Sequence, residues 1–411
     1  MTPEQFAIDV TRKLQQAGFQ ALFAGGCVRD ELLGRIPKDY DVATNARPDE
    51  VREVFGKKKT IAIGAAFGVI TVIGPRSAGQ IEVATFRRDG DYHDGRRPDS
   101  VEYTDAREDA LRRDFTINGM FYDPVSESVI DYVGGQEDLE LRRIRAIGNP
   151  HERIDEDKLR MLRGVRFAAT YEFELDDETL AAIEQHAHEI KVVSPERIGN
   201  ELRRMLGSHN NHVALRLLIE SRLWAEVFIG ALEAEVDLIE NRSAVESLER
   251  LKSPAFPAAV ATILLEMVPE LMVSPSSTIE RLKDVWRLTN SEVNATSWLC
   301  ANISTARDAA RMPWPDVQPV LIHELAPELL RLADAIFPEN DGTAFCRERL
   351  EWSREKLNPE PLVNGGDLKN AGVTPGPMFK QALDMIRRKQ LDGEIATREE
   401  ALEFARAFSA D

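Results

Sequence analysis

Asp39 and Asp41 are the residues of this chain whose type and spacing most clearly indicate chemistry. They lie one residue apart in a segment with the pattern of a β-strand, so both carboxylates would point to the same face of a sheet. Two like charges at that separation repel each other unless a cation lies between them. Mg²⁺ is the expected cation, because it prefers oxygen ligands and commonly shares them with substrate phosphates. The pair therefore predicts a magnesium site.

A glycine pair, Gly25 and Gly26, precedes these aspartates at the predicted start of a helix. Glycines at such a turn expose bare backbone N–H groups, which suit the oxygens of a triphosphate. Metal and triphosphate together predict nucleotidyl transfer, in which one ion activates the attacking hydroxyl and both ions stabilise charge on the α-phosphate. Glu82 is the candidate third carboxylate, since it lies in mid-strand among apolar neighbours. A solvent-facing strand position is the alternative.

A third segment with suitable chemistry is Leu-Arg-Arg-Asp-Phe-Thr-Ile-Asn-Gly at 111–119. Arg112 and Arg113 could bind phosphate oxygens through their forked guanidinium groups, and Asp114 could accept a hydrogen bond from a sugar 2′-hydroxyl. Asn118 adds an amide beside them. The alternative is an exposed pair of surface arginines.

Between these segments, residues 86–98 are polar, rich in arginine and interrupted by glycine. This composition predicts a mobile loop near the site that could close over a substrate. An ordinary surface hairpin loop is the alternative on composition alone.

The first helix predicted after residue 150 carries the most specific pattern, with Asp157, Arg160, Arg163 and Arg166 recurring every third residue. This spacing would place the four side chains near one another on one side of the helix. Such charges often form only an ion-paired surface stripe.

The functional interpretation starts from what a fixed carboxylate and a fixed guanidinium can recognise. Cytosine and adenine each present an amino donor beside a ring-nitrogen acceptor, so Asp157 could accept from the amino group while Arg160 donates to the ring nitrogen. Guanine and uracil present a carbonyl beside an N–H, which reverses both contacts. Each mispaired buried polar group costs about 1–3 kcal/mol, so two such errors would discriminate strongly.

The elements that must position these residues fall into two regions. Short apolar strands alternate with polar turns up to about residue 147, at 21–24, 39–43, 60–63, 69–73 and 81–86. After Asn149 and Pro150, helical periodicity dominates to the end of the chain. The predicted fold class is therefore α+β: a small mixed α/β head with a sheet of about five strands, followed by a long all-helical region.

Bulk composition limits the possible classes of protein. The chain has 411 residues, which indicates several domains or a long helical array, and its net charge of −18 argues against indiscriminate nucleic-acid binding while permitting a local basic groove. Three widely spaced cysteines provide no disulfide framework or zinc spacing. With no secretion signal and no apolar run of about 18 residues, we expect a cytoplasmic protein without membrane contact. We predict no obligate protein partner.

Taken in order, these motifs resemble one known family. The resemblance rests on Gly25–Asp30, Asp39-x-Asp41, RRDFTING at 112–119, Asp131–Gly135, EDxxRxxRxxR at 156–166 and Ser194–Leu202. The chain resembles the class II tRNA nucleotidyltransferases, the CCA-adding family that also contains bacterial poly(A) polymerases. Such membership implies a nucleotidyltransferase head at 1–148, a helical neck at 149–210 with a nucleotide-selecting helix, a helical body at 211–345 and a tRNA-binding tail at 346–411.

The resemblance also implies residue roles and substrates. Asp39 and Asp41 would hold Mg²⁺, and Gly26, Arg29 and one or both of Arg112 and Arg113 would bind the triphosphate and sugar of the incoming nucleotide. Asp157, Arg160, Arg163 and Arg166 match the nucleotide-binding helix. The substrates would be CTP, ATP and tRNA, with the helical regions holding the acceptor arm and elbow by shape and phosphate contacts.

Within the family, the hairpin Ile63–Gly68 and the absence of a basic C-terminal extension favour tRNA end-building over poly(A) synthesis. The loop at 86–98 argues against an enzyme that adds only C. An enzyme that adds only A stays open. Outside the family, a small-molecule nucleotidyltransferase shares the Gly-Gly and Asp-x-Asp motifs, but it needs neither the Asp157–Arg166 pattern nor a long helical region.

Overall fold

The computed structural model describes residues 1–90, 101–229, 242–267, 276–372 and 377–408. The chain divides into two compact units. The first comprises Met1–Glu235 with Asp284–Arg287, and the second comprises Val236–Lys283 with Leu288–Asp411. The four predicted domains divide the chain more finely than this and stay a prediction.

The first unit is built on a mixed sheet. Its strands and those of two small ribbons are, in chain order, β1 Ala21–Ala24, β2 Asp41–Thr44, β3 Thr60–Ile61, β4 Val69–Ile73, β5 Gln80–Thr85, β6 Arg87–Asp89, β7 Val101–Tyr103, β8 Phe121–Asp123, β9 Ser128–Ile130, β10 Arg143–Ile144 and β11 Glu174–Leu175. The described main sheet has seven strands in the order β3-β4-β5-β2-β1-β8-β9. Within it β2 and β5 are parallel and the other neighbours are antiparallel. The ribbons are antiparallel β6–β7 and parallel β10–β11.

The predicted fold class is confirmed, because a head with a mixed sheet is followed by a largely helical region, and the structure differs from the prediction in two details of strand content. The main sheet has seven strands rather than about five, because β8 and β9 extend it beyond β1. Each of these strands has three residues, too few for an alternating pattern to be recognised. The region after residue 149 is not wholly helical either, since β11 pairs with β10.

The first unit has ten α-helices in its described residues. They are α1 Pro3–Gln16, α2 Gly26–Leu32, α3 Pro48–Phe55, α4 Ala106–Leu111, α5 Gly135–Glu140, α6 Pro150–Glu156, α7 Leu159–Tyr171, α8 Asp177–His186, α9 Pro195–Leu206 and α10 Asn211–Glu220. The unit also has 3₁₀ turns at 57–59, 65–67, 116–118 and 187–192, and a π-helical turn at 225–229.

The segment that contains Asp157 is not one continuous helix. It was predicted to share a helical side with the arginines that follow, but α6 ends at Glu156 and α7 begins at Leu159. Asp157 lies between them with φ −149° and ψ 104°, and its Oδ1 accepts a hydrogen bond from the backbone N–H of Leu159 at 3.1 Å. The carboxylate thus satisfies a free N–H at the start of α7, which favours a break there.

The second unit is helical in all its described elements. Its α-helices are Arg242–Leu251, Phe256–Met267, Ser276–Trp286 (whose residues 284–286 group with the first unit), Asn290–Asp308, Trp314–Leu321, Ala326–Ile336, Gly342–Leu350, Arg354–Leu357, Gly365–Asn370, Pro377–Leu391 and Arg398–Phe408. The last three pack around a small apolar core that includes Leu368, Ile386 and Ala401. Among the described residues, no helix has the length and apolar character needed to span a membrane.

Candidate active site

Most of the predicted site residues line one cavity of about 480 Å³ in the first unit. Its walls are formed by Gly25, Gly26, Arg29, Asp41, Arg112, Arg113, Asp114, Asn118, Asp157, Arg160, Arg163 and Phe167. Asp39, Glu82 and Arg166 are the predicted residues outside that lining. Phe167 also lines the cavity and was not among the predicted site residues.

The carboxylates are brought together by the parallel pair β2–β5. Asp41 is the first residue of β2 and lies opposite Glu82 of β5. Asp39 comes before the strand rather than within it, contrary to the prediction that both aspartates share strand geometry. Desolvation raises the pKa of Asp41 to about 6; the negative charges of Glu82 and Asp39 add to this, while Arg113 opposes it.

This donor set fits a divalent cation. Asp41 and Glu82 are register partners on neighbouring strands, and Asp39 precedes Asp41 by two residues. A divalent cation there would offset the burial and the negative charges that raise the pKa of Asp41. Divalent-metal binding is typical of nucleotidyltransferases with this kind of head. The residues that would hold the ion are Asp39 and Asp41, with Glu82 beside them.

A second group of possible metal ligands lies elsewhere in the first unit. Asp155, His186 and Glu189 have ligand atoms within 4.8 Å of one another. The ammonium of Lys158 already forms salt bridges with both carboxylates, at 2.6 Å to Asp155 Oδ1. Because a cation is already present in this cluster, we do not assign it as a metal site.

The glycine turn is fixed by its own geometry. Gly25 has φ +73°, a conformation that residues with a side chain rarely adopt. A Cβ at this position would also lie 2.9 Å from Nη1 of Arg113. The turn thus allows an arginine of the site to lie directly against the backbone.

Arg112 and Arg113 are held by a buried carboxylate that the sequence analysis did not single out. Asp109 accepts hydrogen bonds at Oδ1 from Arg112 Nη2 at 2.7 Å and at Oδ2 from Arg113 Nη2 at 2.9 Å. Burial alone would raise the pKa of Asp109, but the two guanidinium groups hold it below its ordinary value. The i+3 and i+4 spacing from Asp109 to the arginines was the available signal.

Arg29, Asn118, Asp114 and Arg163 form a chain of contacts across the cavity wall. Arg29 Nη1 donates to Asn118 Oδ1 at 2.5 Å, and Asn118 Nδ2 donates to Asp114 Oδ1 at 3.0 Å. Arg163 donates to Asp114 Oδ2 from Nε at 2.8 Å and from Nη2 at 2.5 Å. Burial would raise the pKa of Asp114, but Arg163 and Asn118 hold it well below its usual range.

Asp157 and Arg160 both reach the cavity, although only Arg160 lies on α7. Asp157 Oδ2 accepts from Arg197 Nη2 at 2.7 Å. Arg160 donates to the carbonyl of Arg153 at 2.8 Å and to that of Arg112 at 3.3 Å, and it also contacts Glu156. These contacts fix the two groups in place, and Arg197 is a partner that sequence reasoning missed.

Arg166 was predicted to share the side of Asp157, Arg160 and Arg163, but its guanidinium lies outside the cavity lining. It contacts the buried carboxylate of Glu201 on α9 at 2.5 Å. The guanidinium carbon of Arg166 also lies 4.0 Å from the centre of the Phe167 ring. In the structure, then, Arg166 joins α7 to α9.

The loop predicted at 86–98 is described only at its edges. Arg87–Asp89 and Val101–Tyr103 pair as an antiparallel ribbon that leads into and out of it. Residues 91–98 lie outside the described part of the chain, so the predicted closing motion stays a prediction.

Comparisons with known proteins point to one family. Family models match residues 21–145 as a poly(A) polymerase head domain, residues 172–234 as the RNA- and SrmB-binding site of polymerase A, and residues 316–405 as tRNA nucleotidyltransferase domain 2. The CCA-adding enzyme of Enterococcus faecalis is 31% identical over 97% of this chain and 95% of its own length. That of Geobacillus kaustophilus is 34% identical over 97% and 96%.

Solved structures give the same result for the fold. The Bacillus stearothermophilus CCA-adding enzyme, in complex with CTP, matches with a TM-score of 0.76 and 30% identity over 99% of this chain and 98% of that chain. The Thermotoga maritima CCA-adding enzyme, complexed with tRNA, matches with a TM-score of 0.70 and 21% identity over 98% and 94%.

Proposed function

The chain belongs to the family of CCA-adding enzymes, and we propose that it adds C, C and A in turn to the 3′ end of tRNA without a nucleic-acid template. The nucleotides come from CTP and ATP, and each addition releases pyrophosphate. The observation that carries the proposal is the single cavity lined by Asp41, Arg113, Asp157 and Arg160, which are groups suited to a metal, a phosphate and a base.

For the transfer step, we propose that Asp39 and Asp41 hold Mg²⁺ with Glu82 beside them. Bound there, the ion supplies Lewis acidity that lowers the pKa of the attacking 3′-hydroxyl and neutralises charge on the α-phosphate. Arg29, Arg112 and Arg113 would bind the phosphate oxygens, since their forked donors match them. The buried carboxylate of Asp109 would keep Arg112 and Arg113 in position.

For base selection, we propose that Asp157 accepts from the amino group of cytosine or adenine and that Arg160 donates to the neighbouring ring nitrogen. Arg197 and the backbone N–H of Leu159 hold the Asp157 carboxylate, and each of its oxygens can accept a further bond. Arg160 is held by two carbonyls and Glu156. Such fixed groups would exclude guanine and uracil. With those bases, a carbonyl oxygen would face the Asp157 carboxylate and an N–H would face the Arg160 guanidinium, so neither hydrogen bond could form.

For the RNA, we propose that the helices of the second unit hold the acceptor arm and elbow of tRNA, with the tail at 346–411 taking part. The match of residues 316–405 to tRNA nucleotidyltransferase domain 2 supports this assignment. CTP, ATP and tRNA are cytoplasmic molecules, so we propose that the enzyme acts in that compartment.

The test is incubation of the purified chain with Mg²⁺, CTP and ATP, one of them α-labelled, and tRNA that ends either at the discriminator base or at C-C, followed by sequencing of the extended 3′ end. Addition of a single C-C-A is the expected result. Addition of A only to tRNA already ending in C-C would identify the A-adding alternative, and long A tracts would identify a poly(A) polymerase. No labelling of RNA would overturn the proposal and favour a small-molecule acceptor.

A further inference from the structure

Arg29 lies against two aromatic side chains of α7. Its guanidinium carbon is 4.6 Å from the ring centre of Tyr171 and 5.4 Å from that of Phe167. The two rings are one helical turn apart, with centres separated by 6.4 Å and planes inclined by 22°. We call Phe167 and Tyr171 the aromatic bracket.

The aromatic bracket and Arg29 are buried, and both Tyr171 and Arg29 form hydrogen bonds with Asp30. Phe167 is 6% exposed, Tyr171 7% and Arg29 6%. The Tyr171 hydroxyl donates to Asp30 Oδ1 at 2.9 Å, the same oxygen that accepts from Arg29 Nε at 2.9 Å. Burial raises the pKa of Tyr171 to about 12, so the hydroxyl stays protonated and able to donate at neutral pH.

A series of contacts also connects Phe167 to Arg29 through Arg163, Asp114 and Asn118. Phe167 lies beneath Arg163, whose guanidinium carbon is 5.3 Å from the ring centre. Arg163 binds Asp114, which is joined through Asn118 to Arg29. Arg29 therefore has fixed neighbours on both the α7 side and the 114–118 side of the cavity.

We propose that Phe167 and Tyr171 are positioning residues that fix the guanidinium of Arg29 for the triphosphate of the incoming nucleotide, so that the helix carrying Arg160 also sets the phosphate site. This inference rests on the proposed function for the role of Arg29. A cation over a desolvated aromatic face is held by electrostatic attraction in one place. Loss of a ring would therefore let Arg29 move while leaving Asp157 and Arg160 in place.

The test uses the full-length chain with Phe167→Leu, Tyr171→Leu and Tyr171→Phe. Inorganic tripolyphosphate, which has neither base nor sugar, serves as a competitive probe of the phosphate site. Each leucine variant should weaken tripolyphosphate binding and raise KM for CTP and for ATP by a similar factor of about 3- to 30-fold. KM for tRNA and the choice of base should not change. Tyr171→Phe keeps the ring and should recover most of the affinity.

Two controls separate positioning from general destabilisation. Phe228→Leu removes a fully buried ring of the same unit that packs against Trp224 and Trp286, and it should leave tripolyphosphate affinity unchanged. Combining Phe167→Leu with Arg29→Ala should add little to the effect of Arg29→Ala alone, because the ring acts through that guanidinium.

The inference is overturned if tripolyphosphate affinity is unchanged in the leucine variants, if Phe228→Leu weakens it equally, or if Phe167→Leu has its full effect without Arg29. Should Phe167→Leu fail to fold, the comparison of Tyr171→Leu with Tyr171→Phe decides the matter. If the wild-type chain extends no RNA, yet tripolyphosphate binding is weakened in the leucine variants and recovered in Tyr171→Phe, the positioning role is supported and the proposed function is wrong.

Discussion

Arg163 of α7 donates two hydrogen bonds to a single carboxylate oxygen of Asp114, at 2.8 and 2.5 Å. The pair joins the segment 111–119 to the helix that carries Arg160. Asp114 is buried and also accepts from the backbone N–H of Phe115 and from Asn118. One carboxylate thus connects the part of the site proposed to bind phosphate with the part proposed to read the base.

Removal of the Asp114 charge should destabilise the first unit. Asp114→Asn leaves Arg163 without its anionic partner, and because about a third of the Arg163 side chain is exposed, we expect a loss of about 2–4 kcal/mol at pH 7. The pKa of Asp114 is lowered in the folded protein, so its contribution is complete above the unfolded value of about 3.9 and is lost as the pH falls below it. Urea denaturation of both proteins from pH 7 to pH 3 measures this. A difference that stays constant across that range would contradict the assigned ion pair.

The Asp41 carboxylate should show the opposite pH dependence. Its pKa is raised to about 6, so in EDTA its stabilising effect is present below about pH 4 and is lost as the pH rises to about 6. Asp41→Asn lacks this group and should gain stability relative to the wild type across that window. Thermal unfolding in EDTA against pH measures the difference.

Divalent metal provides the second part of the same test. At pH 7.5, Mg²⁺ should raise the Tm of the wild type but not of Asp41→Asn, because ions that bind only the folded state stabilise it. Nucleotide addition by the variant should fall by at least about 100-fold, and Asp39→Asn should behave similarly. Equal Mg²⁺ stabilisation of wild type and Asp41→Asn would show that the ion binds elsewhere.

Replacement of Asp157 should relax the choice of base. Asp157→Ala removes the proposed acceptor for the amino group, so the preference for CTP and ATP over UTP and GTP should fall by about 10- to 100-fold, as expected for loss of one polar contact. Single-turnover extension with each of the four nucleotides measures it. Asp155→Ala is the matched control, since that carboxylate is two residues away, 61% exposed and paired with Lys158 instead. Unchanged selectivity in Asp157→Ala would disprove the template role.

Much of this site could be predicted because its motifs are local. Gly25 and Gly26 lie at the start of a helix, and Arg112, Arg113 and Asp114 reach one cavity, as their types and spacing indicated. Local patterns could also identify the five strands that were predicted, since each is apolar and bounded by turn residues.

Other features depend on contacts between distant parts of the chain. Glu82 meets Asp41 only because β5 pairs in parallel with β2. Asp157 leaves the helix because its side chain bonds the N–H of Leu159 and is held by Arg197, which is 40 residues away. Helical periodicity predicts which residues share a face of a helix. Contacts with distant residues decide where the helix begins and which side chains bind another helix instead, as Arg166 binds Glu201.

Two glycines on neighbouring helices should respond differently to substitution by alanine. A Cβ at Gly199 of α9 would lie 1.9 Å from the backbone carbonyl oxygen of Trp286. The side chain of Trp286 is held in place, because its indole N–H donates to the carbonyl oxygen of Val227 at 2.8 Å. Backbone at that distance must move, so Gly199→Ala should cost about 3 kcal/mol or more.

At Gly164 of α7 the nearest atom would be a ring carbon of Phe115 at 3.1 Å, which a small side-chain shift can relieve. The helix propensity of alanine, worth about 1 kcal/mol over glycine, offsets that strain. Gly164→Ala should therefore stay within about 1 kcal/mol of the wild type in urea denaturation, and a Gly199→Ala protein of wild-type stability would contradict the close packing of α9 on Trp286.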